Sequence, residues 1–170
     1  ITRLSMFRRA RAGIARTFQA PIVPLSLSIA ETLKAAAMAY PPYIHAKTIQ
    51  QSCDFVGLEQ PSQVITGTLG TLDRRKLLLA GLLMRKPSVL LLDEPASGLL
   101  SDEISDLAKV IQAIAQQGVG LMIIEHRLEL LRQLTKRMIF LHLGSVFAQG
   151  TPEDVLNHPD VKSVLLGIKE

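Results

Sequence analysis

The stretch "SVLLLDEP", Ser88 to Pro95, constrains this chain more than any other. Val89 to Leu92 is an unbroken apolar run with neither helical spacing nor alternation. Such a run, bounded by a Lys86-Pro87 break, predicts a strand buried on both faces, as in a parallel sheet covered by helices. Two carboxylates, Asp93 and Glu94, follow it directly. Ligands of open α/β sheets sit beyond the carboxyl ends of the strands, so chemistry is expected there.

The flanking pattern agrees. Ile104, Leu107, Ile111 and Ile114 recur at helical spacing after Ser101, which is expected to cap that helix with Asp102 and Glu103 complementing its dipole, and Gly118 stops it. Gly120 to Glu125 predicts a second buried strand, Leu128 to Leu134 a helix and Met138 to Leu141 a third strand. Strand and helix alternating in this way imply parallel crossovers and an α/β layered sheet. "SVFAQG" reads as a hairpin return, and Thr151-Pro152 opens a helix with Asp154 placed for a capping box. Upstream, Ser5 to Gly13 is a short basic helix candidate and Ile14 to Gln19 a strand-like run, followed by a loop at Pro21 and Pro24. Ile29 to Met38 and His45 to Val56 read as helices separated by Pro41-Pro42. Gly67 to Asp73 reads as a loop before a helix from Arg74 to Met84.

Composition narrows the class. With 170 residues, 48% of them hydrophobic and 20% charged, the chain can bury a core and is not disordered. No apolar run approaches the roughly 18 residues of a membrane span, and no secretory pattern opens the chain. The single cysteine, Cys53, excludes an internal disulfide and reads as a packing residue. The net charge is +4, with Arg3, Arg8, Arg9, Arg11 and Arg16 early in the chain. No aromatic residues interleave them to stack bases, so a solvated face is expected rather than a nucleic-acid partner. Residue 1 is Ile, not Met, and the chain is expected to be a piece of something longer.

Two polar clusters end the predicted strands: Asp93-Glu94 and Glu125-His126. A carboxylate directly after a buried strand can hold Mg²⁺, usually through water. A second one beside it can polarise an attacking water, and a histidine can sense a γ-phosphate.

At this point the residues carry a resemblance. "VLLLDEPASGL" followed by "MIIEH" resembles the Walker B, D-loop and switch-histidine regions of the ATP-binding-cassette (ABC) ATPases. "RARAGIARTFQ" and "LSIAETL" resemble the Q-loop region of ATP-binding subunits of branched-chain amino-acid importers. "GTPEDVLNHPDVKSVLLG" is similar to the ending of that subfamily and of its relative in lipopolysaccharide export. The resemblance runs from Ile1 to about Gly167. It implies part of a P-loop NTPase core with a parallel sheet and a helical subdomain. Residues 1–19 would end a core segment leading to the Q-loop, 20–84 form the helical subdomain, and 85–170 the Walker B and switch half with the tail. It also implies ATP and Mg²⁺ as ligands, with Gln19 as the Q-loop residue, Asp93 the Mg²⁺ carboxylate, Glu94 the general base and His126 the switch histidine. Transmembrane permease subunits and a second ATP-binding subunit would be partners. The protein would sit peripherally on the cytoplasmic face of the inner membrane, coupling ATP hydrolysis to import of amino acids.

The family's phosphate loop precedes the Q-loop, and no G-x-x-x-x-G-K-[ST] occurs in these residues; Lys47-Thr48 is a decoy. This stretch alone is therefore expected to be inactive and to bind Mg-ATP weakly or not at all, because the β- and γ-phosphates lose most of their donors. The strand bearing that loop is expected beside Val89–Leu92, which would leave this strand at an open edge. The signature motif aligns with Leu69-Gly70-Thr71-Leu72-Asp73, where Gly70 replaces a serine and Leu72 a glycine. In the D-loop, Ala96-Ser97-Gly98-Leu99-Leu100, Leu100 stands for an acidic or amide residue, and Arg127 replaces an aspartate after His126. Those changes fall where the family acts in trans, whereas Gln19, Asp93, Glu94 and His126 are retained. Two alternatives therefore stay open: a degenerate, non-catalytic ABC subunit acting as a structural or regulatory partner, and a lipopolysaccharide-export-type ATPase.

Overall fold

A computed structural model describes residues 1–39 and 42–165. Pro41 and Gly167, which figured in the expected helix break and tail, lie outside them. The chain divides into two compact units, Ile1–Ile124 and Glu125–Glu170.

The first unit is built on a parallel sheet of β1 (Ile14–Arg16), β2 (Val89–Asp93) and β3 (Gly120–Ile124), in the order β1-β2-β3. Ile14 pairs with Val89 and Arg16 with Leu91, while Val89 pairs with Gly120 and Asp93 with Ile124. The apolar run thus lies in the middle of the sheet, with Leu90 and Leu92 fully buried. That corrects the expectation of an open edge at Val89–Leu92: the strand is paired on both sides. Among the described residues the sheet edges are β1 and β3, and on β3 Met122 and Ile124 are exposed.

The unit's helices are α1 (Met6–Arg11), which packs on β1, α2 (Ile29–Met38) and α3 (Ala46–Val56), which pack on α4 (Thr71–Leu83), and α5 (Ser101–Gln116), which also meets α4. The α2 start is a full capping box: the Ser28 hydroxyl accepts from Glu31 N–H and the Glu31 carboxylate accepts from Ser28 N–H. Gly57, in the left-handed region at φ 65°, closes α3. Lys47 and Thr48 fall in the first turn of α3, as a decoy should. Cys53 is buried on the same helix, and burial, then the neighbouring Asp54 charge, pushes its thiol up. Leu33 and Ala37 of α2, Val56 of α3, Leu77 and Ala80 of α4, and Leu107, Ile111 and Ile114 of α5 form the buried faces.

Two boundaries differ from expectation. Helix α4 begins at Thr71, with Gly70 as its N-cap, so Thr71, Leu72 and Asp73 form a helical turn rather than a loop; a short 3₁₀ turn, Thr66–Thr68, precedes it. Ser101 is the first helical residue of α5 rather than its cap, because Leu100 holds the cap position and its N–H donates to Glu103 Oε2 at 2.9 Å.

In the second unit, α6 (Leu128–Leu134) leads into an antiparallel hairpin of β4 (Met138–His142) and β5 (Ser145–Gly150). The strand expected from Met138 therefore pairs with β5 and not, among the described residues, with the parallel sheet. Thr151 and Asp154 make the anticipated capping box at α7 (Pro152–Asn157), and α8 (Pro159–Leu165) follows.

Candidate functional site

The parallel register of β1 and β2 brings the end of β1 alongside the carboxylates after β2. Thr17 N–H donates to Leu91 O at 2.9 Å, extending the ladder by one residue. Asp93 N–H donates to the hydroxyl of buried Thr17 at 3.3 Å. The Asp93 carboxylate takes an ion pair from Arg16, 3.1 Å from Nη2 to Oδ2. Gln19, two residues beyond Thr17, donates from Nε2 to Glu94 Oε2 at 2.6 Å. Three of the four expected residues, Gln19, Asp93 and Glu94, thus share one sheet end. Arg16 joins them, a residue the sequence motifs did not single out for this place.

Glu94 leaves the strand abruptly. Its φ is 43°, in the left-handed region that costs a non-glycine residue energy. Its N–H donates to Ile124 O at 2.8 Å, so β3 fixes the turn that aims the side chain. The next residues close up: Ser97 N–H donates to Glu94 O at 3.1 Å, Leu99 N–H to Ala96 O at 3.2 Å, and Gly98 takes φ 74°. Ala96 and Leu99 are buried and Leu100 is 74% exposed, so the D-loop stretch presents an apolar side chain to solvent.

The signature stretch meets this loop through α4. Arg75, buried on α4, donates to the carbonyl of Ser97, tying the first turns of the helix to the D-loop. Leu69 is buried. A Cβ added at Gly70 would meet nothing within 4 Å, so a serine has room there. Glycine at that cap thus forfeits a side-chain acceptor without relieving any crowding. Asp73 accepts from Gln60 Nε2 at 3.1 Å and lies in the first turn of α4, the usual place for an acidic residue.

His126 belongs to the second unit, which begins at Glu125. Glu125 has a fully buried side chain, whose Oε2 accepts from His126 N–H at 2.8 Å and Arg127 N–H at 3.1 Å. It pins the backbone that carries the exposed His126 ring, whose Nδ1 lies 3.6 Å from the same oxygen. The sequence marked Glu125 only as half of a polar pair, and nothing in it distinguishes an anchor of the two following N–H groups.

Among the described residues no group of three or more His, Cys, Asp or Glu side chains could hold a metal ion. Mg²⁺ of the nucleotide-linked kind takes one or two carboxylates and completes its shell with water and phosphate oxygens. Asp93, partly exposed at the strand end, is the carboxylate that would hold it.

Similarity to known proteins follows the same lines. No protein-family model matches the chain. It is 34% identical over 113 residues to a high-affinity branched-chain amino acid transport ATP-binding protein of Pseudomonas aeruginosa, covering 66% of the chain and 44% of that protein. It is 28% identical over 169 residues to a lipopolysaccharide export system ATP-binding protein of Acidithiobacillus ferridurans, covering 98% of the chain and 70% of that protein. Among solved structures, an ATP-binding cassette of an ABC transporter in its ADP conformation matches with a TM-score of 0.79 at 20% identity, covering 94% of the chain and 70% of that structure. The fold is that of an ABC ATPase cassette. The chain is similar along its length to ATP-binding proteins of ABC transporters. It spans 63% and 60% of the length of two such relatives, from Rhizobium meliloti and Azorhizobium caulinodans. Among the described residues no helix is long and apolar enough to cross a membrane.

Proposed function

We propose that the protein is the ATP-hydrolysing subunit of an importer for branched-chain or other amino acids, working on the cytoplasmic face of the membrane. The observation that carries this is the Gln19–Glu94 contact of 2.6 Å beside a Glu94 held at positive φ. In this role the Glu94 carboxylate accepts the proton of the attacking water, and the Gln19 amide aims it. Asp93 would hold the nucleotide's Mg²⁺, which supplies charge neutralisation on the phosphates. His126, on a backbone pinned by Glu125, would contact the γ-phosphate. Two features support the coupling role. A groove of about 1070 Å³ lies between α2 and α3, lined by Ile29, Leu33, Ala37, Ile49 and Cys53 among others. Ile22 and Leu25, just after Gln19, are 70% and 57% exposed. Residues 19–56 would take up a permease's cytoplasmic helix there, and a second ATP-binding subunit would complete the site. The "GIARTFQ" run and the Pseudomonas relative support amino acids as cargo.

A second role, as a degenerate subunit paired with an intact one, is favoured by Gly70, Leu72, Leu100 and Arg127. These replace the polar or small residues that the family uses across the dimer. Hydrolysis by the full-length protein assembled with its permease separates the two. Glu94→Gln should keep nucleotide binding, since the amide oxygen can still accept from Gln19. It should lower turnover by about 10²-fold or more. Unchanged turnover in the variant removes Glu94 from the role, and a wild-type complex whose hydrolysis resides wholly in the partner subunit establishes the second role.

A further inference from the structure

We infer that Arg16 is a charge latch on Asp93, and that a divalent cation reaches this carboxylate only by displacing it; the inference rests on the reading of Asp93 as the cation-holding residue. Phe18 stands two residues beyond Arg16, the last residue of β1, close enough for the two side chains to meet. The Arg16 guanidinium lies 4.9 Å from the centre of the Phe18 ring while its Nη2 sits 3.1 Å from Asp93 Oδ2. It is gripped from two sides, by a π face and by a carboxylate. The Asp93 backbone is held, because it closes β2 in register with Ile124 and its N–H is bonded to Thr17, so the carboxylate follows a retreating arginine only as far as its own short side chain turns. Arg16 can retreat, because its side chain is 52% exposed.

A cation bound directly to the carboxylate sits about 2.0–2.1 Å from its oxygen, and one held through water sits one water layer further out. The guanidinium nitrogen already lies 3.1 Å from Oδ2, so the two positive groups would crowd within a few ångströms. Even with water-like screening, this repulsion and the lost ion pair lower cation affinity by about tenfold. Arg16 pairs with the Asp93 carboxylate when no cation is near, and it makes cation entry conditional on a swing of the Arg16 side chain away from Oδ2.

The test is Mn²⁺ binding to the full-length protein without nucleotide, followed by the loss of the free-ion signal in electron paramagnetic resonance. Arg16→Gln should bind Mn²⁺ about tenfold more tightly than wild type. Arg16→Met, which keeps an apolar stem against Phe18, should do the same, and Arg16→Lys should stay near wild type. Adding Asp93→Asn to Arg16→Gln should abolish the gain. Thermal melts confirm that each variant is folded. Equal affinity in wild type and both neutral variants overturns the latch, as does a gain that survives Asp93→Asn. Because the readout needs no hydrolysis, it is separable from the proposed function. Normal turnover by Asp93→Asn would refute Asp93's part in the ATPase while leaving the latch measurable.

Discussion

Replacing Glu94 by glycine and by alanine isolates the strain in the backbone at the end of β2. Both changes remove the acceptor of the 2.6 Å bond from Gln19, a contact at the surface worth about 0.5–1.5 kcal/mol. They differ at φ 43°, where alanine keeps the left-handed penalty of about 1–2 kcal/mol and glycine does not. Glycine's greater freedom in the unfolded chain works against it by roughly 0.5–1 kcal/mol. The difference leaves Glu94→Gly more stable than Glu94→Ala by about 0.5–1 kcal/mol, the reverse of the usual order in regular structure. Glu94→Ala should fall about 1 kcal/mol below wild type and Glu94→Gly should return close to it. In a chain of this size 1 kcal/mol moves the melting temperature by about 2–4 °C, so paired urea titrations and melts resolve the two. If alanine proves as stable as glycine or more so, the bond from Glu94 N–H to Ile124 O is not holding a strained residue. The account of how Glu94 is aimed then fails. If the order is as expected, wild type carries a backbone strain at Glu94 that the bond from Gln19 roughly offsets.

The Glu31 carboxylate is held below its ordinary value first by the backbone N–H of Ser28 and then by its hydroxyl, against a smaller opposing effect of burial. A depressed folded value contributes stability above the unfolded carboxylate range and loses it as pH falls through the folded value. Stability of wild type minus that of Glu31→Gln should therefore shrink on acidification below the ordinary glutamate range, and a difference independent of pH would refute it. The open edge of β3, with Met122 and Ile124 exposed, is a template for strand pairing, so the 170-residue chain should self-associate and Ile124→Lys should reduce this. A monodisperse wild-type monomer by light scattering would show that this edge is protected.

Much of the fold was legible wherever the signal was local. The Val89–Leu92 run, the helical stripe from Ile104 to Ile114 and the Thr151–Asp154 box each depend on residues within a few positions of one another. Strand order depends on partners far along the chain. Nothing between Ser88 and Pro95 says that Ile14–Arg16 lies on one side and Gly120–Ile124 on the other, and so the strand was wrongly expected at an edge. Met138–Leu141 has the composition of a parallel strand, but a turn at Leu143-Gly144, both at positive φ, returns the chain onto it as β5. The cap of α5 moved to Leu100 because Glu103 can reach back to a main-chain N–H whatever side chain stands there.

The site divides along the same line. Asp93 and Glu94 are consecutive at the end of an apolar strand, so spacing alone placed them at a sheet end, and the resemblance added Gln19. Arg16 was counted only among basic residues near the start of the chain, since its partner is 77 positions away and their meeting depends on the β1–β2 register. A shift of that register by one residue would turn Arg16 to the other face of the sheet and away from Phe18's side of Asp93. The same holds for Arg75, whose bond to the Ser97 carbonyl spans 22 positions and links the signature helix to the D-loop through a main-chain atom that no side-chain motif records. The residues proposed to act on substrate are thus readable as short words in the sequence. Those that set how these residues are held belong to pairings between segments, and there a substitution such as Arg16→Gln would, on the proposed latch, change cation affinity while leaving every recognisable motif intact.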